Sequence, residues 1–179
     1  WGLKVVLGQH LYSKHGRFAG ADAQRRDDLQ TALDDPSIKA IIAFRGGYGI
    51  SRLIDDVDVA AVCKHPKWIV GFSDVTTLLH KLHQQGVVSI HGEMALRFAL
   101  PAYRESINSL HKLLFGGTAH LTAPAHLQNR VGKVTAPVVG GNLTTLCSHL
   151  GSDLALDTRG KILVREDRGV MPYELDRLM

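Results

Sequence analysis

The amino-acid sequence predicts an α/β protein, in which a parallel sheet with flanking helices is followed by the start of a smaller β-rich domain. Short, nearly continuous apolar runs alternate with longer segments of helical periodicity, a pattern typical of strands buried on both faces. After about residue 120 this alternation gives way to segments rich in proline, threonine and valine. Hydrophobic residues make up 45% and charged residues 21% of the 179 residues, an ordinary composition for a globular protein.

The first part of the chain contains four predicted strands and four predicted helices. Each strand is an apolar run bounded by glycine or polar residues. The predicted strands are 3–8, 38–44, 67–72 and 87–92. The helices carry apolar residues three or four positions apart, with charged residues on the other face. The predicted helices are 21–35, 50–65, 75–86 and 103–117.

A second domain is predicted to begin near residues 116–130. We expect residues 1–120 to form the α/β domain, and residues 121–179 to form a linker and part of the β-rich C-terminal domain. The second part contains a predicted strand at Ile162–Val164 and a predicted helix that begins at Pro172, since proline suits the first turn of a helix. The chain begins on a tryptophan and stops within that helix, so we expect it to be truncated at both ends.

Charge, apolar patterning and cysteine content argue against several classes of protein. The net charge of +4 is spread along the chain with no block of Lys or Arg, so no nucleic-acid partner is expected. Neither a membrane span nor a signal peptide is expected. Cys63 and Cys147 stand in unrelated contexts that suggest neither a disulfide framework nor zinc ligands. We therefore expect a protein of a reducing compartment.

Ser73 stands at a sharp turn between a predicted strand and a predicted helix, in VGFSDVTTLL. Such a serine can be a nucleophile, because its hydroxyl is lifted off the sheet while the N–H of Asp74 and the helix N-terminus face a developing oxyanion. The alternative is that Ser73 and Asp74 only cap the helix. The full G-x-S-x-G pattern is absent, because Val75 stands at the position of its second glycine.

A glycine-rich turn follows the preceding predicted strand, in AFRGGYGISRLI. Parallel sheets bind ligands at the carboxyl ends of their strands, so this turn and Ser73 should share one edge of the sheet. Gly46 and Gly47 would let main-chain N–H groups approach a reacting carbonyl and complete an oxyanion hole. A phosphate-binding turn or a plain tight turn is the alternative, although no Gly-Lys-Ser/Thr follows as in a P-loop.

A serine nucleophile needs a base and a group that orients the base. The chain holds ten histidines, of which His80 and His83 lie one turn apart on a predicted helix, as is typical of a solvated or half-buried face. His91 ends the fourth predicted strand and is a candidate structural or substrate-contacting residue. Glu166 follows a short apolar strand and can hold a carboxylate beside an imidazole. The alternative is an ordinary charge pair of Glu166 and Asp167 at the strand end.

Six motifs together resemble the LD-carboxypeptidase family of serine peptidases, which includes muramoyl-tetrapeptide carboxypeptidases and microcin C self-immunity peptidases. The resemblance covers essentially the whole chain, in the family's order. The motifs are RFAG, AIIAFRGGYGISRLI, VGFSDVTTLL, HGEMA, VVGGNLTTLCSHLGS and GKILVREDRGVMPYELDR. The combination of R-G-G-Y-G, G-F-S-D and E-D…P-Y…D-R is far more specific than any one motif.

The resemblance implies a Ser-Glu-His triad on a two-domain fold, with Ser73 as the nucleophile and Glu166 as the glutamate. It implies that the histidine lies beyond the P-Y…D-R helix and that a first strand precedes this chain. The N–H groups of Gly47 and Asp74 would form the oxyanion hole. The residues assigned to substrate binding are Arg45, Gly46, Tyr48 and His91.

The implied function is acyl transfer that releases the terminal D-alanine of a cell-wall tetrapeptide, in the bacterial cytoplasm during peptidoglycan recycling. No metal or organic cofactor is needed, and a homodimer is expected. Arg45 either binds a substrate carboxylate or forms a structural ion pair. Two departures from the family pattern leave the triad intact: Glu93 stands where many members carry proline, and Val170 where a glutamate is frequent.

Two other functions stay open. An immunity-type hydrolase would cleave a peptidyl or aminoacyl nucleotide, and an aromatic side chain stacked on the base would favour it. A non-catalytic α/β domain would bind a small anionic ligand at the glycine turn, and replacing Ser73 by alanine would then leave its function unchanged.

Overall fold

The first part of the chain forms a three-stranded parallel sheet, as the sequence predicts. The computed structural model describes residues 1–179. The strands are β1 (Ala40–Ile42), β2 (Trp68–Gly71) and β3 (Ile90–His91), with β2 in the centre. All three begin and end inside the predicted apolar runs.

Helices cover both faces of this sheet, because successive residues of a strand point to opposite sides. The helices are α1 (Asp22–Asp34), α2 (Ala60–Lys64), α3 (Thr76–Gln84) and α4 (Arg104–Leu114). Ile69 of β2 belongs to the larger core together with Leu33 of α1 and Leu82 of α3. Its neighbour Val70 belongs to the smaller core on the other face, together with Leu110 of α4. The predicted helix-sheet-helix layering is therefore confirmed.

The helix predicted over residues 50–65 does not form as one element. Two 3₁₀ turns, Ile50–Arg52 and Ile54–Asp56, precede the short α2. The carboxylate of Asp58 accepts a hydrogen bond from the N–H of Ala60 at 2.8 Å. Such a local bond from an aspartate competes with the helical conformation, so the helix starts only after Asp58.

The strand predicted over residues 3–8 is also absent. No strand pairs with this segment, and the side chains of Leu3 and Val5 are exposed. A β-strand needs a neighbour to bind its N–H and C=O groups, and apolar sequence alone does not supply one.

The second part of the chain is built around a two-stranded parallel sheet. Residues 118–137 contain no helix or strand. The elements that follow are β4 (Val138–Asn142), α5 (Leu143–Ser148), β5 (Ile162–Glu166) and α6 (Pro172–Leu178). The predicted strand at 162–164 and the predicted helix start at Pro172 are thus confirmed, whereas the domain division at residue 120 stays a prediction.

The C-terminal part is anchored on α3. The N–H of Asn142 donates to Thr76 Oγ1 at 3.1 Å, and Thr77 Oγ1 lies 3.0 Å from His149 Nε2. A side chain on Gly141 would collide with Thr76, since its Cβ would lie 2.5 Å from Thr76 Cγ2. This close packing brings the ends of β4 and β5 beside the turn that carries Ser73. No helix of the structure has both the length and the apolar character that crossing a bilayer requires.

Candidate active site

A cleft of about 270 Å³ lies at the carboxyl ends of β1 and β2, where the sequence predicts the site. Arg45, Gly46 and Gly47 line it from the glycine turn, Ser73 from the end of β2, and Glu166 from the end of β5. A second cavity, of about 390 Å³, runs along residues 55–60 and contains no serine, histidine or cysteine.

Ser73 occupies a strained backbone position. Its φ of 61° is the only positive φ of a non-glycine residue in the structure. The turn Ser73–Val75 leads directly into α3, and no side chain caps either element. The strain and the absence of a capping bond favour a nucleophile over a simple helix cap, because strained residues persist where the surroundings hold them for function.

Gly71 and Val75 explain how the turn forms without the second glycine of G-x-S-x-G. A Cβ on Gly71 would lie 2.7 Å from Val75 Cγ1, too close for any side chain. The single glycine at position 71 therefore makes the room that Val75 needs.

The glycine turn lies directly against the serine. A Cβ on Gly46 would lie 3.1 Å from Ser73 Cβ and 3.4 Å from its Oγ. Gly47 has a φ of 144° and Gly49 a φ of 134°, both unfavourable for residues with side chains. The turn therefore needs glycine for its own conformation and for its approach to Ser73.

Asp74 ties the two loops together. Its Oδ2 accepts a hydrogen bond from the N–H of Ile50 at 3.0 Å, which belongs to the glycine loop rather than to α3. As a residue of the first turn, Asp74 has an N–H without a partner inside the helix. The role of this N–H as an oxyanion donor stays a prediction.

Arg25 of α1 also holds the glycine loop, and the sequence did not predict this role. Arg25 Nη1 donates to the carbonyl of Gly49 at 3.0 Å, and its Nη2 forms an ion pair with Asp22. The other oxygen of Asp22 pairs with Arg52 at 2.8 Å. Both guanidinium groups lie over the ring of Phe18, 5.4 Å and 5.2 Å from its centroid. The one available signal was RFAG, which contributes Phe18.

Glu166 offers a free acceptor in the cleft. Its Oε1 is buried and accepts no hydrogen bond. The one ionisable group within 4 Å is the His91 ring, whose Nε2 lies 3.8 Å away, beyond hydrogen-bond distance. Burial lowers the pKa of His91, although the charge of Glu166 opposes the shift. The geometry leaves Oε1 able to accept a bond from an imidazole N–H.

Asp167 has a different task from its neighbour. Its Oδ2 accepts bonds from the N–H and the hydroxyl of Thr144, at 2.9 Å and 2.6 Å. Burial raises the pKa of Asp167, but these hydrogen bonds outweigh burial and the pKa is lowered. Asp167 therefore fixes the start of α5, while Glu166 is left for the cleft.

Three predicted substrate-binding residues are placed unexpectedly, namely Arg45, Tyr48 and His91, and the last of these is not among the residues that line the cleft. The guanidinium of Arg45 folds back on its own loop, with Nε donating to the carbonyl of Gly46 at 3.1 Å. Tyr48 does not line the cleft, and its exposed ring lies 6.0 Å from that of Phe18. Seven residues that line the cleft were not predicted as site residues: Phe72, Met94, Leu96, Arg97, Asn142, Asp167 and Arg168. Only their position in the sequence could have indicated them, since each follows or ends a strand.

Comparison with known families gives two matches. The LD-carboxypeptidase N-terminal domain matches residues 1–92, and the LD-carboxypeptidase C-terminal domain matches residues 135–179.

Relatives and solved structures agree with these matches. The chain is 37% identical to "Probable murein peptide carboxypeptidase" of Bacillus subtilis strain 168, over 99% of this chain and 57% of that protein. The crystal structure of muramoyltetrapeptide carboxypeptidase from Oxalobacter formigenes superposes with a TM-score of 0.79 and 32% identity, covering 94% of this chain and 58% of that one. Microcin C7 self-immunity protein MccF, in complex with aspartyl sulfamoyl adenosine, gives a TM-score of 0.83 and 26% identity, covering 98% and 62%. The chain thus spans somewhat more than half the length of these proteins.

Proposed function

The chain belongs to the LD-carboxypeptidase family, and from this premise we propose that the protein carrying it is a serine carboxypeptidase. Its substrate is a cell-wall tetrapeptide, from which it releases the terminal D-alanine. The observation that carries the proposal is the strained Ser73, which faces Gly46 in a cleft closed by Glu166. The names of the relatives support the choice of substrate.

The reaction is acyl transfer in two steps. Ser73 Oγ attacks the carbonyl carbon before the terminal residue, and its proton passes to a histidine base. In this proposal the base is the histidine that the family resemblance implies beyond the Pro172–Leu178 helix. The base then gives this proton to the departing amine of the D-amino acid. Water hydrolyses the acyl-enzyme by the same route and restores the serine.

Two main-chain donors and one carboxylate support this chemistry. The N–H groups of Gly47 and Asp74 stabilise the oxyanion, and losing one such donor typically costs about 100- to 1000-fold in rate. Glu166 Oε1, buried and without a hydrogen bond, accepts the second N–H of the imidazole and stabilises its charged form.

The proposal includes the setting of the enzyme. A cytoplasmic location in peptidoglycan recycling is supported by two free cysteines, Cys63 and Cys147, which suit a reducing compartment. The homodimer implied by the family resemblance is part of the same proposal, and light scattering of the purified protein measures it.

Hydrolysis of aminoacyl nucleotides is the second candidate, supported by the likeness to MccF, which was solved with aspartyl sulfamoyl adenosine. Phe72 is the one aromatic side chain among the residues that line the cleft. Its ring already faces the Arg97 guanidinium, 5.0 Å away, and the His91 ring, 5.9 Å away. Because this leaves little of Phe72 for a base, the peptide substrate is the better fit.

A side-by-side comparison of two substrates separates the two functions. The full-length protein is incubated with an L,D-linked tetrapeptide ending in D-alanine and, separately, with aspartyl sulfamoyl adenosine. We expect release of D-alanine and much slower release of aspartate. Faster turnover of the nucleotide would replace the proposal by the second candidate, and turnover of neither would contradict both.

A further inference from the structure

We infer that Arg97 binds the free α-carboxylate of the substrate's terminal residue and that Glu93 positions it. The inference rests on the proposed function and deepens it, because it names the residue that selects a free carboxylate. No motif assigned a role to Arg97, which lines the cleft together with Ser73.

Arg97 is held in place on several sides. Glu93 Oε2 accepts a hydrogen bond from its Nη1 at 3.3 Å, and both side chains are largely buried, with exposed fractions of 13% for Glu93 and 24% for Arg97. The guanidinium carbon lies 5.0 Å from the centroid of the Phe72 ring and 4.5 Å from that of Tyr103. An arginine fixed between aromatic rings and a carboxylate loses little freedom when it binds a ligand.

The backbone that carries Arg97 is joined to the glycine turn. The N–H of Ala95 donates to the carbonyl of Ala43 at 3.1 Å, and the N–H of Leu96 donates to that of Phe44 at 2.9 Å. These two acceptors immediately precede Arg45. Phe72 immediately precedes Ser73, so Arg97 is tied to both loops that form the candidate oxyanion hole. The terminal carboxylate belongs to the residue directly after the scissile carbonyl. An arginine that binds it must therefore lie close to the serine and the oxyanion hole.

The guanidinium keeps free donors for this task. Only Nη1 is bound to Glu93, while Nε and Nη2 donate to no protein group. Together these two form the edge that binds a carboxylate with two parallel hydrogen bonds. The Glu93 carboxylate fixes the plane of the guanidinium and leaves that edge to the cleft.

The other two arginines of the cleft are less suited. Arg45 is exposed and its Nε is occupied by the carbonyl of Gly46. Arg168 is exposed and forms no ion pair, so nothing holds its guanidinium in one orientation. An unrestrained side chain has to lose its rotamer freedom on binding, which weakens its contribution.

The test compares two substrates that differ only in the terminal carboxylate. The full-length protein is given an L,D-linked tetrapeptide ending in D-alanine, or the same peptide ending in D-alaninamide, and the common tripeptide product is quantified. We expect wild type to prefer the acid. In Arg97→Gln the kcat/KM for the acid falls by about 10- to 100-fold, the value of hydrogen bonds to a charged group, while that for the amide stays near wild type.

Matched variants separate binding from folding. Arg97→Lys keeps the charge without the two-pronged edge and restores part of the preference for the acid, whereas Arg168→Gln keeps the preference. A thermal melt of each variant verifies folding. An equal loss on both substrates in Arg97→Gln, or a preference that disappears in Arg168→Gln instead, overturns the inference. Wild type that cleaves neither peptide overturns the proposed function itself, and the inference with it.

Discussion

Gly46 lies so close to Ser73 that a methyl group on the glycine would stand 3.1 Å from the serine Cβ. The φ of Gly46 is not positive, so alanine would not strain the backbone there. Contact with Ser73 is therefore the reason that this position requires glycine. The glycine-rich turn thus needs glycine for its contact with Ser73 as well as for its own conformation.

Replacing Gly46 by alanine should slow the enzyme without unfolding it. The added methyl group pushes Ser73 or Met94 by a few tenths of an ångström, and misplacing a reacting group by about 1 Å can cost about 100-fold in rate. We expect kcat to fall at least about 10-fold. Gly132→Ala is the control, because a Cβ there meets nothing within 4 Å and the φ is not positive. Unchanged kcat in Gly46→Ala would contradict the contact.

Gly71→Ala should destabilise the turn, because its Cβ would lie 2.7 Å from Val75. Overpacking of this kind typically costs about 1–3 kcal/mol of unfolding free energy. Urea denaturation of Gly71→Ala, Val75→Gly and the double variant measures the coupling. We expect the double variant to recover much of the loss. If the losses of unfolding free energy in the two single variants simply add in the double variant, contact with Val75 is not the reason for glycine at position 71.

Arg25→Gln should lower kcat more than it changes KM. Its guanidinium holds the carbonyl of Gly49, and through it the loop that carries the proposed oxyanion donor Gly47. The oxyanion exists only near the transition state, so a displaced loop affects kcat first. Arg26→Gln is the matched control, since Arg26 is bound only to its exposed neighbour Asp27. A fall in melting temperature with unchanged kcat would limit Arg25 to a structural role.

Stability should decrease as the solution is acidified from pH 7.5 to pH 5.5. Burial lowers the pKa of His80 and His149 from the ordinary 6.5. The unfolded chain therefore binds more protons than the folded one below about pH 6.5, and the stability present above that pH is lost as the pH falls through the folded-state values. Urea denaturation at both pH values measures the loss.

A substitution assigns this pH dependence to the buried histidines. His149→Gln removes one of the two groups and should reduce the difference in unfolding free energy between the two pH values. His120→Gln is the control, because His120 is exposed in a segment without helix or strand. If His149→Gln and wild type show the same difference, the buried histidines do not cause the loss.

Much of the fold could be predicted from local sequence. Apolar runs such as 67–72 and the amphipathic α4 carry their own signal, and so does the proline that begins α6. The prediction of one helix over residues 50–65 was wrong, because the local hydrogen bond to the Asp58 carboxylate competes with the helix that the apolar periodicity favours. The prediction of a strand over residues 3–8 was wrong, because a strand depends on a partner strand, which composition does not reveal.

The candidate site likewise has residues that local sequence predicts and residues that it does not. Gly46 and Ser73 follow neighbouring strands of the first sheet, so their shared edge was enough to predict that they meet. Glu166 ends β5 of the second sheet, and only the family resemblance assigned it to the same site. Arg25 and Arg97 each contact a residue of the site that is distant in sequence, Gly49 for the first and Phe72 for the second. Such contacts exist only once the chain has folded. Local sequence leaves both a helix cap and a nucleophile open at Ser73, and its φ of 61° favours the nucleophile.

The central claim is that Ser73 is the nucleophile, and one comparison tests it most directly. Release of D-alanine from an L,D-linked tetrapeptide is followed for the full-length protein and for its Ser73→Ala variant, with circular dichroism to show that both are folded. We expect steady release by wild type and none measurable by the variant. Release by a folded Ser73→Ala protein at a rate near that of wild type would contradict the claim.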